Sequence, residues 1–200
     1  MLLKGKHILI IDDILKNLEV TGKILKDEGY QISLATDGKQ ALSQLEQSIP
    51  DLILLDVMMP EINGYELCKI IKKRKTLSEI PVIFLTAKIE TEDLAEGFEA
   101  GGVDYITKPF NNEELKIRVK NHLELKLSRE KLESVNQILE EKVNERTLEL
   151  KDSNNKLAKA NEELMNLDRV KVEFLKIISH EIRTPLNGLV GPIQLLKNKL

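Results

Sequence analysis

The sequence is short of residues that interrupt helices, and the shortage has a location. No proline occurs between Pro109 and Pro185, and no glycine between Gly102 and Gly188. A stretch of that length without either residue, rich in Leu, Glu, Lys and Asn, reads as one long helix. Aromatic residues make up only 4% of the chain and are unevenly placed. Tyr30, Tyr65, Phe84, Phe98, Tyr105 and Phe110 lie in the front, and only Phe174 lies behind. The front can therefore build a compact core, and the rear largely cannot. A single cysteine, Cys68, excludes an intramolecular disulfide and suits a reducing compartment. No apolar run approaches the length of a membrane span, and Met1 opens no signal-peptide pattern, so a cytoplasmic protein is expected. Charge of one sign is also scarce. Residues 1–110 carry −5 and residues 111–200 carry +2, together the −3 of the whole chain. Neither part is basic enough to suggest direct DNA binding.

What the front does contain is an alternation of short apolar runs and amphipathic stretches. The pattern predicts strands near 7–11, 30–35, 51–55, 81–85 and 103–106. It predicts helices near 15–28, 38–48, 63–74, 90–99 and from 112 onward. Gly29, Gly38, Gly64 and the Gly101-Gly102 pair punctuate the expected turns. Five β/α repeats of this length imply an α/β domain with a five-stranded parallel sheet covered on both faces.

The apolar runs end in chemistry. Asp12 and Asp13 follow Ile8-Leu9-Ile10-Ile11, and Asp56 follows Leu52-Ile53-Leu54-Leu55. Thr86 ends Val82-Ile83-Phe84-Leu85, and Lys108 follows Val103-Asp104-Tyr105-Ile106-Thr107. Open α/β sheets hold ligands beyond the C-terminal ends of their strands. Three carboxylates, a hydroxyl and an ammonium at one sheet edge can hold a divalent cation and a phosphoryl group together. An ionised carboxylate such as Asp56 can attack phosphorus without a separate base. Asp12 and Asp13 share a pocket with Asp56 only if a cation offsets their repulsion, and Mg2+ suits hard oxygen ligands. Lys108 would pair with the phosphoryl oxygens, and Thr86 would hydrogen-bond one of them. No glycine-rich phosphate loop is present.

These residues resemble the receiver domain of response regulators, with the flavodoxin-like (βα)5 fold. The motifs are Ile11-Asp12-Asp13, Leu55-Asp56-Val57-Met58-Met59-Pro60, Leu85-Thr86-Ala87 and Lys108-Pro109-Phe110. The resemblance covers about residues 5–127. It implies that Asp56 is the phosphoacceptor and that Asp12, Asp13, Asp56 and the Met58 backbone carbonyl hold Mg2+. It further implies that Thr86 and Tyr105 form a switch pair and that the Lys108-Pro109 bond is cis.

Behind the receiver-like part a single heptad register runs through the long helix. One series is Arg129, Asn136, Val143, Leu150, Leu157, Leu164, Lys171 and Ile178. The other is Leu125, Leu132, Leu139, Arg146, Ser153, Ala160, Leu167 and Phe174. Most of these positions are apolar, which favours a parallel dimeric coiled coil with Asn136, Arg146 and Ser153 as weak points. The bland reading is a solvated single helix.

The segment Phe174-Leu175-Lys176-Ile177-Ile178-Ser179-His180-Glu181-Ile182-Arg183-Thr184-Pro185-Leu186-Asn187 carries one imidazole with an acid beside it. Neutral imidazole can attack phosphorus, an adjacent carboxylate can take its second proton, and Arg183 could help neutralise the phosphate charge. This stretch resembles the phosphoacceptor box of sensor histidine kinases. By that resemblance His180 is the phosphorylated histidine, Glu181 the acid/base, Thr184 the water-orienting residue, and Pro185 the site of a helix bend. His7 and His122 match nothing and are read as structural or surface residues.

The expected organisation is a receiver over 1–127, a coiled-coil linker over 128–170, and an incomplete dimerisation and phosphoacceptor helix over 171–200. The family's second hairpin helix and ATP-binding domain are not found in the sequence. ATP would act only through such a kinase domain, so this chain is not expected to autophosphorylate alone. The leading reading is two-component phosphorelay signalling by the front of a hybrid histidine kinase, as a homodimer served by a cognate histidine kinase or phosphotransfer protein. The alternative is a non-catalytic response regulator whose helix dimerises it or docks a partner.

Overall fold

The computed structural model describes residues 3–87 and 91–197, with the side chains of residues 91–94 and 184–197 left out of account. In chain order the elements are β1 (His7–Ile11), α1 (Leu15–Asp27), β2 (Gln31–Ala35), α2 (Gly38–Gln47), β3 (Leu52–Asp56) and α3 (Gly64–Lys73). Then follow β4 (Val82–Thr86), α4 (Thr91–Glu99), β5 (Asp104–Thr107) and α5 (Asn112–Lys197). All five strands are parallel in one sheet of order β2-β1-β3-β4-β5. This is the flavodoxin-like arrangement expected from the sequence, and its order reverses between β1 and β3. The chain forms two compact units, residues 1–134 and 135–200, each containing part of α5.

Strand periodicity explains why the sheet must be covered twice. Successive side chains point to opposite faces. Leu9, Ile11, Ile53, Leu55, Val82 and Phe84 pack on one side against Ala41 and Leu45 of α2 and Leu67, Cys68 and Ile71 of α3. Ile8, Ile10, Leu52, Leu54, Ile83 and Leu85 pack on the other against Leu18 and Leu25 of α1 and Leu115, Val119 and Leu123 of α5. Every residue of β3 and of β4 is buried. Fully burying one such side chain contributes roughly 1.5–3 kcal/mol.

The helices form for local reasons that agree with this packing. In α1 the buried residues Leu18, Thr21, Gly22 and Leu25 recur at the i, i+3, i+4, i+7 spacing of one face. The Asp37 carboxylate accepts from the Gln40 N–H at 2.8 Å and starts α2. Asn63 and Glu66 form a reciprocal capping box at the start of α3.

β1 spans the expected residues, the other strands differ by one residue at one or both ends, and the shift matters at β3. Asp56 is itself the last strand residue, opposite Leu85, because the Val57 N–H still donates to the Leu85 carbonyl at 3.1 Å. The phosphoacceptor candidate is thus held by the ladder and does not sit on a loose turn.

Candidate functional site

The C-terminal edge of the sheet brings four sequence-distant segments together. Asp12 and Asp13 leave β1, Asp56 ends β3, Thr86 ends β4 and Lys108 follows β5. The Lys108 N–H donates to the Thr86 carbonyl at 2.7 Å, which fixes where the lysine departs. Its ammonium lies 2.6 Å from Asp12 Oδ2 and 3.1 Å from Asp56 Oδ1. Asp12 and Asp56 are buried, at 1% and 4% exposure, whereas Asp13 is open to solvent. The peptide bond before Pro109 is cis.

One oxygen from each of Asp12, Asp13 and Asp56 lies within 4.8 Å of the others. Two unit charges at about that distance repel by on the order of 3 kcal/mol at an effective dielectric near 20. One lysine cannot neutralise three carboxylates, so the cluster keeps an excess of negative charge that a cation would relieve. An all-oxygen set with so few protein ligands fits Mg2+, which retains several waters. Burial pushes the Asp56 carboxyl above its usual range. The Lys108 ammonium and the Met58 N–H oppose that push, and Asp12 adds to it.

Thr86 is buried, and Tyr105 is half-buried with its ring edge-on to Phe98 at 5.8 Å. Thr86 pairs with Thr107, two residues beyond Tyr105, so Thr86 and Tyr105 share a sheet face. Gly64 lets α3 begin against the site. A Cβ there would lie 2.3 Å from the Asp56 carbonyl oxygen and 2.9 Å from Val57 Cα.

One contact escaped the sequence reading. Asn17 Nδ2 lies 3.0 and 3.1 Å from the two carboxylate oxygens of Asp12. The only signal was its place, one helical turn beyond Asp13. His7 and His122 lie elsewhere in the domain, in partly buried polar contacts. His7 Nε2 is 2.7 Å from Ser33 Oγ, and His122 Nε2 is 2.9 Å from Asp104 Oδ2.

In the second unit His180 and Glu181 are exposed on the helix, with His180 Nδ1 4.0 Å from Glu181 Oε1. The side chains of Thr184, Pro185 and Asn187 lie outside the described residues. Between Leu139 and Leu167 exposed apolar residues fall mainly on the two heptad series. From Val170 to Ile182 they widen to Val170, Val172, Phe174, Leu175, Ile177, Ile178 and Ile182, a broader spread than a two-stranded seam uses.

Residues 8–120, more than half of the chain, match the response regulator receiver domain. The chain belongs to this family. Residues 170–200 match the His Kinase A (phospho-acceptor) domain. A probable cyclic di-GMP phosphodiesterase of Vibrio cholerae is 45% identical over 143 residues, 72% of this chain and 32% of the relative. The DNA-binding response regulator MtrA of Mycobacterium tuberculosis is 39% identical over 59% of this chain and 50% of its own. The chain thus spans between about a third and half the length of these curated relatives. Among solved structures, a response regulator from Chloroflexus aurantiacus is 38% identical with a TM-score of 0.58, covering 60% of this chain and 98% of its own. The receiver domain of a signal transduction histidine kinase from Syntrophus aciditrophicus is 38% identical with a TM-score of 0.57, covering 60% and 91%. A receiver and a phosphoacceptor segment on one chain are the parts of two-component phosphorelay signalling. No helix among the described residues is long and apolar enough to cross a membrane.

Proposed function

We propose that the receiver accepts one phosphoryl group on Asp56, and that paired α5 helices pass the change to the segment carrying His180. The observation that carries the reading is the Lys108 ammonium bridging the buried Asp56 and Asp12, with the exposed Asp13 completing a three-carboxylate cluster. In the reaction an Asp56 carboxylate oxygen forms a bond to phosphorus. The bond from phosphorus to the donor's leaving group breaks, and that group departs with the electron pair. Asp12, Asp13, Asp56 and the Met58 carbonyl are the residues that would hold Mg2+, which would neutralise phosphoryl charge when bound. Lys108 follows the transferred charge, and Thr86 and Tyr105 rearrange around it.

The helix after the receiver supports a homodimer, because its exposed heptad seam needs a partner to leave water. Any 143-residue match must extend past residue 134, so the Vibrio relative shares some of that helix too. His180 would receive or donate a phosphoryl group with Glu181 as acid/base and Thr184 orienting water. The chain would work with a cognate histidine kinase or phosphotransfer protein. The second reading is a receiver whose helix only dimerises it or docks a partner. It is favoured by the reuse of receiver and helix in a relative named for a different activity.

Incubation with Mg2+ and acetyl phosphate should label the chain once, in an acid-stable and base-labile form. Asp56→Asn should abolish the label, and persistent labelling of that variant would remove Asp56 from the role.

A further inference from the structure

Asp12 is the most enclosed of the three carboxylates, and four contacts surround it. Its Oδ1 accepts from the Ile14 N–H at 2.9 Å and from Asn17 Nδ2 at 3.0 Å. Its Oδ2 lies 3.1 Å from the same Asn17 nitrogen and 2.6 Å from Lys108 Nζ. A carboxylate offers about four acceptor positions, so this one is fully engaged by the protein. The four contacts are not equivalent. Lys108 is shared with Asp56 and sits on a long flexible side chain. The Ile14 N–H is backbone and holds a single oxygen. Asn17 alone touches both oxygens, from a position in the first turn of α1 whose backbone is fixed by the helix.

The start of α1 supports the same assignment. Its N-cap residue, Ile14, has no side-chain acceptor, and its first turn contains no acid. Asp12 therefore serves as the local acceptor for this helix start, and Asn17 reaches back to it over five residues. Asp12 is tied to α1 by two groups and to the distant Lys108 by one.

We propose that Asn17 is a positioning residue for the metal site: its amide holds the Asp12 carboxylate in one orientation while Lys108 exchanges partners. The proposal rests on the reading of Asp12 as a Mg2+ ligand. When a cation displaces Lys108 or a phosphoryl group draws it away, Oδ2 becomes available. Without Asn17 the carboxylate would then be free to turn about its side-chain bonds. Outer partners of this kind typically change metal affinity by about 10–100-fold.

The test uses the whole chain and the metal alone. Free Mn2+ is counted by its electron paramagnetic resonance signal, and Mg2+ by competition. Asn17→Leu removes the donor at similar volume and should weaken both ions by roughly 10-fold. Asn17→Gln keeps the amide and should recover most of that loss. The Mg2+ concentration that gives half-maximal Asp56 labelling should rise by a similar factor. If Asn17→Leu shows no cooperative thermal transition, Asn17→Ala carries the same expectation. Unchanged or tighter binding in the folded variant would overturn the proposal, as would a Gln variant no better than Leu. A wild-type chain that binds neither ion would instead overturn the metal reading beneath it.

Discussion

Asp56 is ionisable in a place that disfavours its charge, and Asp104 is ionisable in a place that favours it. Burial and the nearby Asp12 hold the Asp56 carboxyl above its usual range despite Lys108. An acid raised in the folded state loses stability as pH climbs past its unfolded value near 3.9, because the ionised form is then the costlier one to bury. Asp56→Asn should therefore raise the Tm at pH 7 without divalent ions. Added Mg2+ should stabilise the wild type and not the variant. Thermal scans with and without Mg2+ check both statements. For Asp104, burial alone would raise the carboxyl, but hydrogen bonds from His122, the Tyr105 N–H and Arg118 outweigh it and leave it lowered. Its contribution is present above the ordinary carboxylate range and is lost as pH falls through that range and below. Asp104→Asn should cost roughly 1–2 kcal/mol at pH 7 and flatten the loss of Tm between about pH 5 and pH 3.

At the scale of elements, the close approach of α3 to the end of β3 depends on one missing methyl group. Gly64→Ala would place a Cβ against backbone atoms of Asp56 and Val57, which cannot swing aside as a side-chain tip can. We expect a loss of about 1–3 kcal/mol from overpacking. Acetyl-phosphate labelling should slow as well, because the displaced backbone carries Asp56, the proposed phosphoacceptor. A variant with wild-type Tm and labelling would show that α3 can retreat freely. The start of α1 shows a different dependence, since its acceptor is Asp12 and not a capping residue of its own. A change at that helix end therefore reaches the site directly.

For the whole molecule the open matter is pairing. The heptad residues Val143, Leu150, Leu157 and Leu164 are each more than half exposed in one chain. A parallel homodimer would bury them, and single cysteines at Leu150 or Leu157 should then crosslink between chains in a Cys68→Ser background. That background removes the single native thiol, which is itself buried and pushed up to about 11. Receiver labelling should change crosslinking yields for cysteines placed at Arg146 and Ser153, where the seam is polar. Sedimentation equilibrium at micromolar concentration should return a mass of two chains of 22.8 kDa. A monomer would leave α5 as a solvated helix, and crosslinks that require antiparallel pairing would rule out the parallel dimer.

Much of this was legible in the residues before any coordinates. Four-residue aliphatic runs such as Leu52–Leu55 are long enough to be strands and too short to be buried helices, so sheet and helix spans followed from periodicity. The acids and Lys108 stood at the ends of those runs, and a parallel sheet gathers such ends at one edge. That α5 runs unbroken from residue 112 to Pro185 followed from the absence of proline and glycine, but its continuation to Lys197 through Pro185, Gly188 and Gly191 did not. Contacts between side chains far apart in sequence were not legible, because no local pattern encodes them. Lys108 meets Asp12 across 96 residues, and His122 meets Asp104 across 18, only once helix and strand are packed. His122 read as an unmatched histidine until β5 supplied its carboxylate. Nothing in the sequence singled out Asn17 within the predicted helix near 15–28, and only the structure sets its amide against both oxygens of Asp12. Which groups arrive at the sheet edge could be read from the residues, since strand length places them there. Which of them touch could not, because that depends on how the helices seat on the two faces of the sheet.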